Sequence, residues 1–274
     1  MENTRTKTTR NSLILLLTAA IWGMAFVSQS KGMDYMHPFT FNGVRSLIGA
    51  ASILVYILIS RKIAGDKATP LDWKLNVKAG LLCGIFLTIA STLQQFGIKY
   101  TSVGKAGFIT TLYIIFVPMF GIFLKKKVAP VVWAAAVMAA VGMYLLCMTE
   151  SLRLGAGDIM VFLCAIAFAI QIMTVDHYAA RIDGAVVSCI QFTVCGVVCC
   201  IGALIWGQPT FGQLQEGLGA LLYAGVLSCG VGYTLQIVGQ KGLNPTVAAL
   251  IMSLESVIAT ISGWIAYKLS LIHI

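Results

Sequence analysis

The amino-acid sequence predicts an all-α polytopic membrane protein, a ten-helix bundle of two inverted five-helix repeats, with nine spans visible and the tenth truncated. Three observations lead there. Hydrophobic residues make up 58% of the 274 and charged residues 11%, with a mean hydropathy of +0.89; soluble domains hold about 45–50% apolar and about 25% charged residues. Residues Thr92–Gly121 align without a gap on Thr234–Gly263, an offset of 142 at which nine of thirty positions are identical. Lys and Arg collect in alternate gaps between the apolar stretches.

A helix crosses the hydrocarbon core with about 20 apolar residues. Nine segments qualify, at about 12–30, 38–60, 76–97, 103–124, 129–148, 156–175, 184–206, 217–239 and 244–267. The first follows Arg5, Lys7 and Arg10 in the manner of a secretory signal, but its apolar run continues through Trp22–Val27, so it is expected to stay as an anchor. The second carries Arg45, and the basic loop 61–75 separates it from the third. The fourth holds Pro118, whose missing N–H is expected to bend it, either as a gate or as a passive kink. Connections are short, leaving no room for a soluble domain.

The repeated block covers the third and fourth spans and again the eighth and ninth. These pairs lie five helices apart, and an odd number of crossings turns the second copy over, as in many secondary transporters. A fainter match at offset 146 sets Trp22-Gly23 against Phe168-Ala169 and Arg45 against Gln191. The predicted units are 1–150 and 151–274. The fifth segment, with Trp133 and Gly142, has no visible partner, because Lys268–Ile274 is too short to cross.

Thirteen Lys and Arg fall in one set of gaps, from Arg5 through Arg61, Lys125 and Arg181 to Lys241; four, Lys31, Lys99, Lys105 and Arg153, fall in the other. Positive charge marks the cytoplasmic side, so the N-terminus is predicted inside, and the net charge of +9 reflects topology rather than nucleic-acid binding. The eight cysteines lie in spans without a C-x-x-C, and the three histidines are scattered, so no metal site or disulfide is expected.

Ionisable groups at mid-bilayer are costly and face protein or water. Glu255, about eleven residues into the ninth span, is either a proton- or cation-binding group in a cavity or a polar staple between helices. Arg45 is expected to pair with a carboxylate or a helix end more than to touch a substrate. Gln94 and Gln236 are repeat-equivalent amides suited to lining a polar cleft or to bonding between helices, with Asn42, Gln95, Gln171 and Gln191 beside them. Trp22, Tyr113 and Tyr233 offer rings for packing against a substrate or within the core. Small-residue pairs such as Gly80 with Gly84 permit close helix packing. No paired acids, metal-ligand spacing or phosphate loop is present, so no catalytic residue and no cofactor are expected.

Taken in order, Ala20-Ile21-Trp22-Gly23, Arg45, Gln95, Gly97, Tyr100, Ala106, Pro118, Gly157-Asp158, Asn244-Pro245, Ala248 and Ser253-Leu254-Glu255-Ser256-Val257 resemble the drug/metabolite transporter superfamily, specifically EamA-type permeases. The resemblance covers about residues 12–267. It departs at Lys125-Lys126-Lys127, where the family often has Gly-Glu, at Ser256, where the family usually has Pro, and in the missing tenth helix. It implies a secondary active transporter, not an enzyme, that moves small polar metabolites, amino acids or related compounds foremost, commonly outward. The cavity would lie between the first, third, fourth, sixth, eighth and ninth helices. Trp22, Gln94, Tyr113, Gln236 and Glu255 are the candidate substrate contacts, with Arg45 in structural pairing. The implied partners are the lipid bilayer, a small-molecule substrate and protons as a candidate coupling ion, in the inner membrane, with a homodimer allowed. Nucleotide-sugar or sugar-phosphate antiport is the alternative, and would call for more cavity cations than Arg45, Lys99 and Lys241. A non-transporting polytopic protein is the third reading.

Overall fold

The computed structural model describes residues 4–65, 70–124, 155–267 and scattered positions between 130 and 141. Among them are eight helices long and apolar enough to cross a membrane, and no strand. They are α1 (Thr4–Tyr35), α2 (Pro38–Ala64), α3 (Trp73–Ile98), α4 (Val103–Phe123), α5 (Ala156–Tyr178), α6 (Gly184–Gly207), α7 (Leu218–Gln240) and α8 (Pro245–Tyr267). They correspond to segments one to four and six to nine of the sequence. The fifth segment, 129–148, lies for the most part outside the described residues, as do Lys125–Lys127 and the tail Lys268–Ile274.

Helix starts are set by side chains that accept from otherwise unbonded N–H groups. Ser102 caps α4 and Asn244 caps α8, at an offset of 142. His37 caps α2 and Asp183 caps α6, at an offset of 146. The weaker of the two sequence correspondences thus recurs in the backbone.

The direction of each repeat follows from which helix ends meet. Asn11 Nδ2 donates to the Lys241 carbonyl at 2.8 Å, placing the start of α1 beside the end of α7. Asp183 N–H donates to Asn76 Oδ1 at 2.9 Å, which brings the starts of α3 and α6 to that same end. Lys105 and Asp158 pair at the other end, where α4 and α5 begin. Helix α1 therefore starts at one end of the bundle and its counterpart α5 at the other, so the repeats are inverted. Arg10, Arg61, Lys62, Lys74, Lys78, Arg181 and Lys241 all stand at the first of these, here the basic end; Lys31, Lys99 and Lys105 stand at the opposite one.

Glycines bring the repeats into backbone contact, among them the repeat equivalents Gly97 and Gly239. A Cβ on Gly97 of α3 would strike Val161 and the Gly157 carbonyl of α5. A Cβ on Gly239 of α7 would strike Leu15 and the Asn11 carbonyl of α1. Gly239 is Gly97 shifted by 142, and Asn11 and Leu15 are Gly157 and Val161 shifted by 146, so one interface has been built twice.

The interruption of α4 is not at Pro118. The helix ends at Thr111 and resumes at Tyr113, while Pro118 lies buried inside the second half-helix. In α8 the break is equivalent, between Met252 and Glu255, without any proline. Thr111 Oγ1 donates to the Phe108 carbonyl and Ser253 Oγ to the Leu250 carbonyl, each at 2.8 Å; Thr111 is the last residue before its interruption and Ser253 the first residue within the other. A hydroxyl that bonds three residues back competes with the helical ladder, and the duplication has kept it at both sites.

Replacing Gly97 by Val is expected to lower the melting temperature in detergent by several degrees or prevent folding, since overpacking costs about 1–3 kcal/mol. Gly219→Ala, which meets nothing within 4 Å, is expected to leave the melt unchanged or raise it. The His37 cap adds a pH dependence. Its Nδ1 accepts from Phe39 N–H, and partial burial with Lys99 nearby lowers its pKa below 6.5. The unfolded chain takes up that proton first, so this contribution is complete at neutral pH and declines as pH falls below about 6.5. Melting curves between pH 7 and about pH 5 are expected to show the decline, reduced in His37→Asp.

Candidate functional site

The two helix breaks meet. Tyr113 and Glu255 are the first residues of the resumed half-helices, and they are repeat equivalents at an offset of 142. The Tyr113 hydroxyl donates to Glu255 Oε1 at 3.1 Å, with both residues buried. Equivalent residues that touch must lie on the axis relating the repeats. Glu255 is the acidic residue in the first turn of its own half-helix, the end at which the helix dipole favours a carboxylate.

Around this pair is a cavity of about 40 Å³. It has room for one or two water molecules, which is far below the size of a metabolite. Every sequence-predicted contact lines it, namely Trp22, Gln94, Tyr113, Gln236 and Glu255, together with Arg45. Pro118 does not.

Arg45 departs from expectation. Among the described residues it has no carboxylate partner. Its Nε donates to Asn42 Oδ1 at 2.9 Å, and its guanidinium carbon stands 5.4 Å from the centre of the Phe41 ring. Asn42 is itself held, its Nδ2 donating to Ser91 Oγ at 3.0 Å and to Cys199 Sγ at 3.3 Å. One end of the guanidinium is fixed by α2, α3 and α6, and Arg45 faces the same cavity as Glu255 without an ion pair between them. A buried charge without a counter-ion is costly, so the two leave the cavity with one cation on the first repeat and one acid on the second.

The amides are less symmetric than the sequence implies. Gln94 Nε2 donates to Thr110 Oγ1 at 3.3 Å within the first repeat. Gln236 Nε2 donates to Gln171 Oε1 at 3.2 Å, and Gln171 Nε2 reaches Gln191 Oε1 at 3.5 Å. Gln191 is the counterpart of Arg45, so a neutral amide stands where the first repeat has a charge. Gln236 Oε1 and Gln29 Oε1 are buried in the lining with no hydrogen-bond partner among the described residues.

Aromatic rings form one wall. Trp22 lies 4.5 Å from Tyr233, and Phe192 meets Tyr233 edge-on at 4.9 Å. Trp22 Nε1 donates to the Ser228 carbonyl at 3.4 Å. Ser228 lies in the π-helical stretch Tyr223–Gly232 of α7, a wound form that recurs at functional sites. Gln29 and Thr110 line the cavity without having been singled out in the sequence. Gln29 is set against Val175 and Thr110 against Met252, so the duplication gave no cue to either. At the basic end, a second cleft of about 600 Å³ is lined by Tyr56, Ser60, Arg61, Asn76, Asp183 and Lys241 among others.

Inverted repeats with helices broken around a central polar cavity form the architecture of a secondary transporter. The chain belongs to the EamA-like transporter family, whose profile matches residues 10–148 and 155–273. It is a multi-pass membrane protein of the drug/metabolite transporter type. An uncharacterized transporter of Archaeoglobus fulgidus is 30% identical over 171 residues, covering 60% of this chain and 48% of that protein. The chain thus matches about half the length of that relative. The uncharacterized transporter YwfM of Bacillus subtilis is 27% identical over 256 residues, covering 92% and 84% of the two chains. A crystal structure at 17% identity superposes with a TM-score of 0.75 over 96% of this chain and 90% of the other, a likeness of fold.

Asn42→Leu removes the side-chain acceptor of Arg45 and is expected to destabilise the protein by about 1.5–3 kcal/mol. Ser46→Ala, which loses only a long contact to Cys195 Sγ at 3.4 Å, is expected to cost less than about 1 kcal/mol. Thermal melts of the two variants in one detergent make the comparison.

Proposed function

We propose that the protein is a secondary active transporter of amino acids and related zwitterions, working by alternating access between its inverted repeats. The observation that carries this reading is that a basic residue, Arg45, and an acidic one, Glu255, line one cavity. Arg45 supplies a cation for a carboxylate and Glu255 an acid for an ammonium, and a zwitterion bound between them neutralises both. Planar guanidinium suits a carboxylate better than an ammonium side chain would. A single cavity cation suits one carboxylate rather than the multiple phosphate oxygens of a nucleotide sugar.

The cavity is too small for such a substrate, so binding requires the repeats to separate. The axial position of the Tyr113–Glu255 pair supports a site that either end can reach. Protons are the proposed coupling ion: Glu255 takes a proton when no ammonium occupies it, and the outgoing substrate exchanges with it. The chain is placed in the inner membrane with its basic end in the cytoplasm, and export is the proposed direction. The units 1–150 and 151–274 are the proposed moving bodies.

Counterflow in proteoliposomes tests this. Labelled amino acids are expected to exchange, whereas their methyl esters and N-acetyl derivatives, each lacking one charge, are not. Arg45→Gln and Glu255→Gln are each expected to reduce exchange by about tenfold or more, the effect of about 1.4 kcal/mol or more of lost binding, with melts close to that of the parent. Full exchange of the ester by the unmodified protein rules out the zwitterion reading.

A further inference from the structure

Asp158, the third residue of α5, gathers three donors. Lys105 Nζ lies 2.6 Å from Oδ2, Thr101 Oγ1 lies 2.7 Å from Oδ1, and Gly155 N–H reaches Oδ2 at 2.9 Å. Lys105 and Thr101 belong to the first repeat and Asp158 to the second. The carboxylate is 3% exposed and the Lys105 side chain 21%, so the pair is largely withdrawn from water. This contact ties the repeats together at the end away from the basic one, beside the close Gly97–Gly157 approach.

In an inverted-repeat carrier the open and closed ends exchange as the repeats exchange conformations, so a contact that closes one end has a counterpart position that closes the other. For this contact the counterparts are Leu243 for Thr101 and Val247 for Lys105, at an offset of 142, and Ser12 for Asp158, at an offset of 146. No ion pair can form among a leucine, a valine and a serine. At the basic end, neutral hydrogen bonds cross between the repeats, from Asn11 to the Lys241 carbonyl and from Asp183 N–H to Asn76. Charge-assisted hydrogen bonds are roughly twice as strong as neutral ones.

We infer that Lys105, Thr101 and Asp158 form a latch without a counterpart, which holds the end opposite the basic one closed and makes the empty transporter rest open towards its basic end. The inference rests on the alternating-access reading above but not on the identity of the substrate. It makes the basic end the loading side. The Tyr113–Glu255 pair, being on the axis, maps onto itself and favours neither state. The bias therefore comes from off-axis contacts such as this one.

Cys229 lines the cavity and reports on access. The full chain in membrane vesicles of either orientation is treated with a membrane-impermeant maleimide, and the adduct at Cys229 is quantified by mass spectrometry. Labelling of the parent is expected to be faster from the basic side. Asp158→Asn and Lys105→Met are each expected to shift the ratio of rates towards the opposite side by roughly fivefold or more. Ser12→Asp combined with Val247→Lys adds a latch at the basic end and is expected to shift the ratio in that same direction. An unchanged ratio in all three, with melts like that of the parent, overturns the latch. Labelling from one end only in every variant overturns alternating access and the latch together. Loss of amino-acid exchange with the labelling shifts intact overturns the substrate reading alone and leaves the latch standing.

Discussion

Lipid removes the force that assembles soluble cores, because hydrocarbon tails are as apolar as leucine side chains, and helices must then be held by close packing and polar contacts. In this protein that constraint is met where glycines let backbones touch, above all Gly97 of α3 against α5 and Gly239 of α7 against α1. Gly23 adds a third approach, since a Cβ there would meet Ile258 and the Glu255 carbonyl. These contacts join one repeat to the other. They fix the distance across the centre of the bundle, and so determine that Tyr113 can reach Glu255 and that a polar cavity exists at all.

Within that frame the duplication has been kept for geometry and relaxed for chemistry. Caps, helix breaks and glycine contacts recur at both offsets. The polar groups do not. Arg45 faces Gln191 across the pseudosymmetry, Tyr113 faces Glu255, and Asp158 faces Ser12. A scaffold that is symmetric in shape can pass between two related states, while asymmetric side chains give the states different energies and the cavity a distinct polarity.

Much of the site was legible because charged and amide side chains are rare in apolar spans, so the few present stand out. Glu255, Arg45, Gln94 and Gln236 were found in that way, and Trp22 and Tyr113 through rings placed beside them. Arg45 was expected to pair with a carboxylate or a helix end, whereas among the described residues an amide and an aromatic ring hold it. Pro118 drew attention because its effect on a helix is local and known, yet the interruption lies at Leu112, beside Thr111, which reads as an ordinary residue in a span. Gln29 and Thr110 were passed over because their polarity matters only once folding puts them against the same space.

The sequence by itself determined the class of fold, the number and order of the described spans, the inversion and the distribution of charge between the two ends. Those follow from composition and periodicity, which the bilayer reads one segment at a time. Only the tertiary structure decided that residues 142 apart hydrogen-bond on the axis, that Arg45 and Glu255 share a cavity without pairing, and that Asp158 binds Lys105 and Thr101 across the repeats. These depend on which helix faces are brought together, and in lipid that choice is made by close backbone packing rather than by hydrophobic pattern.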